Sequence, residues 1–253
     1  MNSRKRWLAQ QIVYLLVSAA GLLSLFENTH LDIELERWFF DSQLHNFPLR
    51  HHWLLSAVMH HGLKSLSYAL GLLSIVYCLH AWRGRVSWLP PRHAALAGLG
   101  MLLIPLSISL LKHLTNRHCP WDTLEFGGYA PYLWLFATPP SGMTQGQCFP
   151  AGHASAGLSW LAWGFALLGL QQRWARYVLL TSLSLGGLLG LGRMLQGAHF
   201  LSHTLWSIWF AWGICVMLTG LTGVQVVPPP QSEPLPSMPT NDSTPTQTAH
   251  ATR

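Results

Sequence analysis

Six apolar runs separated by polar or basic breaks set the pattern of this chain: Trp7–Phe26, Leu63–Trp82, Ala94–Leu111, His153–Leu170, Tyr177–Gly192 and Thr204–Leu221. Each is close to the roughly 20 residues an α-helix needs to cross a bilayer, Tyr177–Gly192 being short. The pattern predicts an all-α fold, a bundle of six transmembrane helices. The first run follows a basic start, as a signal peptide would. It is long for a secretory segment and no clear small-x-small cleavage site follows, so it reads as a retained span. Between the first two runs, Leu31, Ile33, Leu35, Trp38, Phe39 and Leu44 mix with acidic residues. This reads either as a short helix lying at the interface or as a lid packed on helix ends, and Phe47–Pro48 interrupts it. Gly186 and Gly190, four apart, predict close helix approach. No internal repeat or heptad stands out. From Pro228 onward Pro, Ser, Thr and Gln take over, with too little apolar surface to offset ordering. The chain therefore reads as one membrane domain, residues 1–226, and a disordered cytoplasmic tail, residues 227–253, with no lipidation signal.

Composition agrees with a membrane protein. Half of the 253 residues are hydrophobic and 9% are charged, against about a quarter charged in soluble domains. The formal charge of +6 forms no basic stripe with interleaved aromatics, which argues against nucleic acid. In a six-span layout Arg4, Lys5, Arg6, Arg83, Arg85, Arg92, Arg173 and Arg176 fall on one side of the membrane. Glu27, Asp32, Glu34, Glu36, Asp41, Asp122 and Glu125 fall on the other. The bias of Lys and Arg toward the cytoplasm then places both termini inside. Trp7, Trp53, Trp82, Trp88 and Trp174 lie near span ends, as interfacial residues do.

Three stretches, all on the outward side in this layout, carry candidate chemistry: Lys112–Pro120 (KHLTNRHCP), Pro150–His153 (PAGH) and Gly192–His203 (GRMLQGAHFLSH). Lys112 and Arg117 there run against the inside bias, and a bound anion explains them. PAGH leads directly into the fourth run, where backbone N–H groups at Ala151 and Gly152 could meet an anion at a helix start. His199 and His203 share a helix face at i, i+4, so one imidazole can fix the tautomer of the other. Each stretch alone fits a bland reading too: a snorkelling cation, an ordinary helix start, interfacial histidines among fourteen. Cys119 and Cys148 flank the outward loop and read equally well as a disulfide or as two free thiols. Cys78 and Cys215 read as packing residues inside spans.

Taken in order, these stretches resemble the type-2 phosphatidic acid phosphatase (lipid phosphate phosphatase) superfamily, whose motifs read KxxxxxxRP, PSGH and SRxxxxxHxxxD. Lys112 and Pro120, then Pro150, Gly152 and His153, then Arg193 and His199 stand at matching places. Cys119 stands in place of the first motif's Arg, Ala151 in place of Ser, Gly192 in place of the Ser before Arg193, and His203 in place of the final Asp. The resemblance covers roughly residues 30–220. It implies a lipid phosphate or diphosphate phosphatase, and the compact layout suggests a bacterial inner membrane with the site facing the periplasm. His199 would be the nucleophile forming a phosphohistidine, His153 the general acid and base, and His203 the group orienting His199. Lys112, Arg193, Arg117 and the backbone at Ala151 and Gly152 would hold the phosphate, without metal or other cofactor. Undecaprenyl diphosphate, lipid A phosphate, phosphatidylglycerol phosphate and phosphatidate are all candidate substrates. Rival readings are a lipid phosphotransferase on the same site, a vanadate-dependent haloperoxidase, and a non-catalytic lipid-binding or transport protein. A zinc site built from His153, His199 and His203 is opposed by Lys112 and Arg193 and lacks an HExxH glutamate.

Overall fold

The computed structural model describes residues 3–226, so the reading of the tail lies outside the described residues. The regular elements named for the described residues are all helices. Helix α1 (Ser3–Glu27) is followed by a short α2 (Leu31–Arg37). A π-helical segment, Leu54–Leu63, runs without a break into α3 (Lys64–Trp82), and α4 spans Pro91–Lys112. After a long connection come α5 (Ala154–Leu158), α6 (Leu161–Leu167), α7 (Gln172–Met194) and α8 (Leu201–Thr222).

Five of these helices are long and apolar enough to cross a membrane. Their outer faces leave Leu16, Val17, Leu72, Leu73, Leu106, Leu180 and Leu188 exposed, an arrangement suited to lipid and costly in water. The expected fourth span, His153–Leu170, differs from the expectation. It is broken into α5 and α6, and the apolar stretch Ala154–Leu167 falls below the length of the other five. The cause is local. Ser159 Oγ binds the Ala156 carbonyl, and Trp160, Ala162 and Trp163 donate three residues back, to Gly157, Ser159 and Trp160. Such i→i+3 bonding tightens and interrupts a helix. At about 1.5 Å per residue a fourteen-residue segment reaches about 21 Å, short of a hydrocarbon core of about 30 Å.

The core lies where α4, α5, α6 and α8 meet. Ile104, Ile108, Leu158, Leu161, Ala162, Phe165, Ala211 and Cys215 are all buried there. The small residues expected to permit close approach do so. A Cβ on Gly186 would sit 2.6 Å from the Leu158 side chain, and one on Gly190 would sit 2.4 Å from Thr204. Helix α7 is thereby pressed against both α5 and the start of α8. This seats the end of α7 beside the ends of α5 and α8, where the histidines are.

Of the two readings of the 31–61 stretch, the structure takes the lid. Asp32, Ile33 and Glu36 of α2 are buried, and Phe47 packs with Phe126 and Phe200. Gly197, in the left-handed region at φ +72°, leaves no room for a Cβ beneath the Phe47 ring. Asp32 ties the lid to the bundle: its carboxylate accepts from the Ser202 N–H (3.0 Å) and hydroxyl (2.5 Å). A carboxylate at that place offsets the unpaired N–H groups that begin α8.

Glu36 is fully buried, and neither carboxyl oxygen has a partner among the described residues. Burial, reinforced by the charge of Asp32, pushes it up to about 10. The folded protein then keeps a proton that the unfolded chain loses above about 4.5. The stability this confers is complete at acid pH and is lost as pH rises toward 10, at no more than about 1.4 kcal/mol per pH unit. Glu36→Gln is expected to raise the unfolding midpoint at pH 8 and leave it nearly unchanged at pH 5, by thermal denaturation in detergent. Equal shifts at both values would overturn this account.

Candidate active site

Each of the three sequence stretches is anchored by backbone before its side chains matter. The first two are fastened together. Cys148 N–H donates to the Arg117 carbonyl (2.9 Å), Thr115 Oγ1 donates to the Phe149 carbonyl (2.6 Å), and Cys119 and Cys148 form a disulfide. The second is fastened to α8: Ala151 N–H donates to the His203 carbonyl (3.1 Å) and Ser207 Oγ donates to the Ala151 carbonyl (3.1 Å). The third turns from α7 toward α8 through bonds from Gly197 N–H to the Met194 carbonyl and from Ala198 N–H to the Arg193 carbonyl.

This scaffold brings three imidazoles into a line. His153 Nδ1 lies 3.4 Å from His199 Nε2, and His199 Nδ1 lies 3.4 Å from His203 Nδ1. His153 is half-buried at one end, whereas His199 and His203 are buried. Burial first, then the neighbouring His203, Lys112 and Arg193, holds His199 well below the usual imidazole range. His199 is therefore neutral at physiological pH, with one nitrogen protonated and the other a lone pair. With its proton on Nδ1, directed at His203, the lone pair on Nε2 faces His153. His203 is enclosed by the rings of Phe149 and Phe200, each with its centroid 5.4 Å away. Its Nε2 has no hydrogen-bond partner among the described residues.

The cations converge on the His153 end. Lys112 closes α4, and a Cβ added to Gly152 would lie 3.7 Å from its Nζ. Arg193 is gripped by Gln196, whose Oε1 accepts from Nη1 at 2.7 Å and whose Nε2 donates to the Arg50 carbonyl and the Ser56 hydroxyl. The Trp121 ring lies under Arg193 at 5.5 Å and under Arg50 at 4.5 Å. Nε of Arg193 is buried without a partner among the described residues, a donor that an anion would satisfy. A hollow beside it is lined by Lys64, His153, Gly192 and Arg193 and covered by Leu55 and Met59 of the π-helical segment. Gly192 makes room for that cover: a Cβ there would meet Met59 at 2.9 Å.

Two expected phosphate ligands are corrected. Arg117 is held elsewhere, by Tyr132 (2.6 Å), Asp32 (3.5 Å) and Glu27 (3.6 Å). The buried lid acid Asp32, with Glu27 at the end of α1 beside it, keeps Arg117 in place, since an unpaired buried carboxylate is costly. The N–H of Ala151 is used by the His203 carbonyl, and α5 is only five residues long. The anion-binding helix start expected there is thus not available as drawn, and at this turn Gly152 lies beside Lys112. In place of Arg117, the fold supplies Lys64 at the start of α3, within electrostatic reach of Lys112. No motif marked Lys64; only its place at the edge of an apolar run, on the outward side, could have drawn attention to it.

Among the described residues, Cys148 Sγ and nitrogens of His199 and His203 lie within 4.8 Å of one another, as metal ligands would. In the disulfide, however, Cys148 has no thiolate to give. Its sulfur simply packs 2.9 Å from the Ala198 carbonyl oxygen and 3.3 Å from His199 Nδ1.

Known proteins similar to this chain are found both by family and by fold. A family model of the PAP2 superfamily fits residues 93–225. A crystal structure described as the first transmembrane PAP2 type phosphatidylglycerolphosphate phosphatase from Bacillus subtilis superposes with a TM-score of 0.51. It shares 16% identity, over 85% of this chain and 96% of that chain. At that identity the likeness is one of fold. No curated protein sequence matches the chain.

Proposed function

The chain belongs to the PAP2 superfamily, and from that premise we propose that it is a membrane phosphatase, hydrolysing a phosphate or diphosphate ester of a membrane lipid through a phosphohistidine on His199. The observation that carries this reading is the histidine line ending in a cluster of Lys64, Lys112 and Arg193. A proton carrier and fixed positive charge, His153 with Lys64 and Arg193, line one hollow, and the neutral nucleophile lies 3.4 Å from that proton carrier. Phosphoryl transfer asks mainly for such positioning and charge stabilisation.

In this mechanism Lys112, Arg193 and Lys64 hold the non-bridging oxygens, and Gly152 lets the phosphate approach Lys112. His199 Nε2 attacks phosphorus in line, forming the N–P bond as the bond to the lipid oxygen breaks. His153 gives its proton to that oxygen. His153 then takes a proton from water, which attacks phosphorus, breaks the N–P bond and restores His199. Throughout, His203 Nδ1 accepts from His199 Nδ1 and keeps the attacking nitrogen free. His203 thus takes the part of an orienting carboxylate without bringing a negative charge.

We propose a topology with both termini cytoplasmic and the site on the periplasmic face of a bacterial inner membrane. Arg4 and Arg92 gather near Gly223 at one end of the bundle, opposite to Lys112 and Arg193, which supports it under the positive-inside rule. Purified protein offered undecaprenyl diphosphate, phosphatidylglycerol phosphate, phosphatidate and lipid A is expected to release vanadate-sensitive inorganic phosphate from at least one. Phosphate appearing only with an acceptor lipid present would instead favour the phosphotransferase. No release from any member of the panel would overturn the reading.

A further inference from the structure

The sulfur beside the proposed nucleophile has a second possible chemistry. Cys148 Sγ lies 3.3 Å from His199 Nδ1, and His199 Nδ1 lies 3.4 Å from His203 Nδ1. Tetrahedral zinc, with Zn–S of about 2.3 Å and Zn–N of about 2.0–2.1 Å, separates a sulfur from a nitrogen by about 3.5 Å and two nitrogens by about 3.3 Å. Two of the three separations already stand near those spacings, and all three ligand atoms lie within 4.8 Å of one another in a buried setting. They lack only a thiolate.

We propose that reducing the Cys119–Cys148 disulfide turns Cys148, His199 and His203 into a site for a divalent transition metal such as zinc, which silences the enzyme. The silencing rests on the phosphohistidine reading above; the metal site does not. A dithiol supplies the electrons. One of its thiolates attacks the half-buried Cys119 sulfur, Cys148 leaves as thiolate, and the second thiol closes the reductant into its own disulfide. Two electrons and two protons pass to the protein's sulfurs. Metal binding then fixes Cys148 as thiolate, its proton going to solvent, and takes the lone pair of His199 Nδ1. The His199 proton must then sit on Nε2, the nitrogen that would attack phosphorus. His203 is occupied at the same time, so nucleophile and orienting partner are lost together. Lys112 and Arg193 oppose a cation here, and the new thiolate charge offsets part of that repulsion. Arg117 is already paired with Glu27 and Asp32. The fourth position is left for water or an anion.

The test uses cobalt(II) as the probe on the full-length protein in detergent. Dithiol-reduced protein, freed of excess reductant, is expected to bind one equivalent with a thiolate-to-cobalt charge-transfer band and intense visible absorption, while oxidised protein gives neither. Cys119→Ser, which leaves Cys148 unpaired, is expected to bind without reductant. Cys148→Ser is expected to lose the charge-transfer band, which excludes Cys78 and Cys215 as its source. Zinc should lower turnover of the reduced enzyme more than tenfold, reversibly with chelator, and spare the oxidised enzyme. Absence of the band from both reduced wild type and Cys119→Ser, or its persistence in Cys148→Ser, would overturn the site. Binding without loss of turnover would overturn the silencing. Binding in a protein with no phosphatase activity in either state would uphold the site and overturn the enzyme reading alone.

Discussion

His199→Gln is expected to lower kcat by about 10⁴- to 10⁶-fold, the scale of loss seen when a covalent nucleophile is removed, and to abolish trapping of a phosphoenzyme from labelled substrate. Glutamine keeps a polar group between His153 and His203, so loss of chemistry is separated from loss of packing. Substantial turnover in this variant would end the assignment. The same residue sets an acid limb. In the proposed mechanism His199 must be neutral to attack, and burial, then His203, Lys112 and Arg193, holds its protonation well below the usual range near 6.5. Activity is therefore expected to persist below about pH 6.5 and to fall only at lower pH. Stability follows the same sign. The unfolded chain takes a proton on His199 as pH falls below about 6.5 while the folded one does not, so this contribution is complete above 6.5 and is lost on acidification. His203→Asp sharpens the test. A carboxylate would favour the protonated form of His199 and move the limb to higher pH, so a limb that stays in place would show that His203 does not face His199 in solution.

Much of this site was legible because the chemistry sits on short motifs at the ends of apolar runs, which any helical layout brings to one level. Lys112, His153, Arg193, His199 and His203 are of that kind. Lys64 is not. It starts a helix that carries no motif, and it joins the site only because the π-helical segment lies against α7 and α3 against α5. Arg117 misled for the opposite reason. Its proximity to Pro120 in sequence made it look like a substitute for the missing motif arginine. Its acid partners Glu27 and Asp32 lie about ninety residues earlier, one at the end of α1 and the other in a lid that could equally have lain in the interface. The fourth span was overread because hydropathy counts Gly157, Ser159 and Trp160 as apolar or neutral. It does not register hydroxyls that bond their own backbone and shorten the helix. The disulfide was an even choice in sequence, since spacing alone cannot decide whether two loop ends meet. In the fold the disulfide stands where the motif arginine was missing, and joins the first stretch to the second by a covalent bond.

His153→Asn should separate the two halves of the reaction. In the proposed mechanism His153 serves twice, giving a proton to the leaving oxygen and then taking one from water, and a positioned proton carrier contributes about 10²- to 10⁴-fold. With a lipid alkoxide leaving group both steps suffer, and kcat is expected to fall by that amount. With an aryl phosphate whose leaving group needs no proton, the first step is expected to proceed and the second to stall. Labelled phosphate should then accumulate on the protein as an acid-labile, base-stable adduct, seen as a burst near one equivalent followed by slow release. The geometry sets this asymmetry: His153 Nδ1 is 3.4 Å from the attacking nitrogen, and its half-buried ring is the one imidazole of the three that water can reach. Full lipid turnover in His153→Asn, or an aryl phosphate reaction without a burst, would show that another group carries the proton. Lys64 would then be the next side chain to replace, since it lines the same hollow.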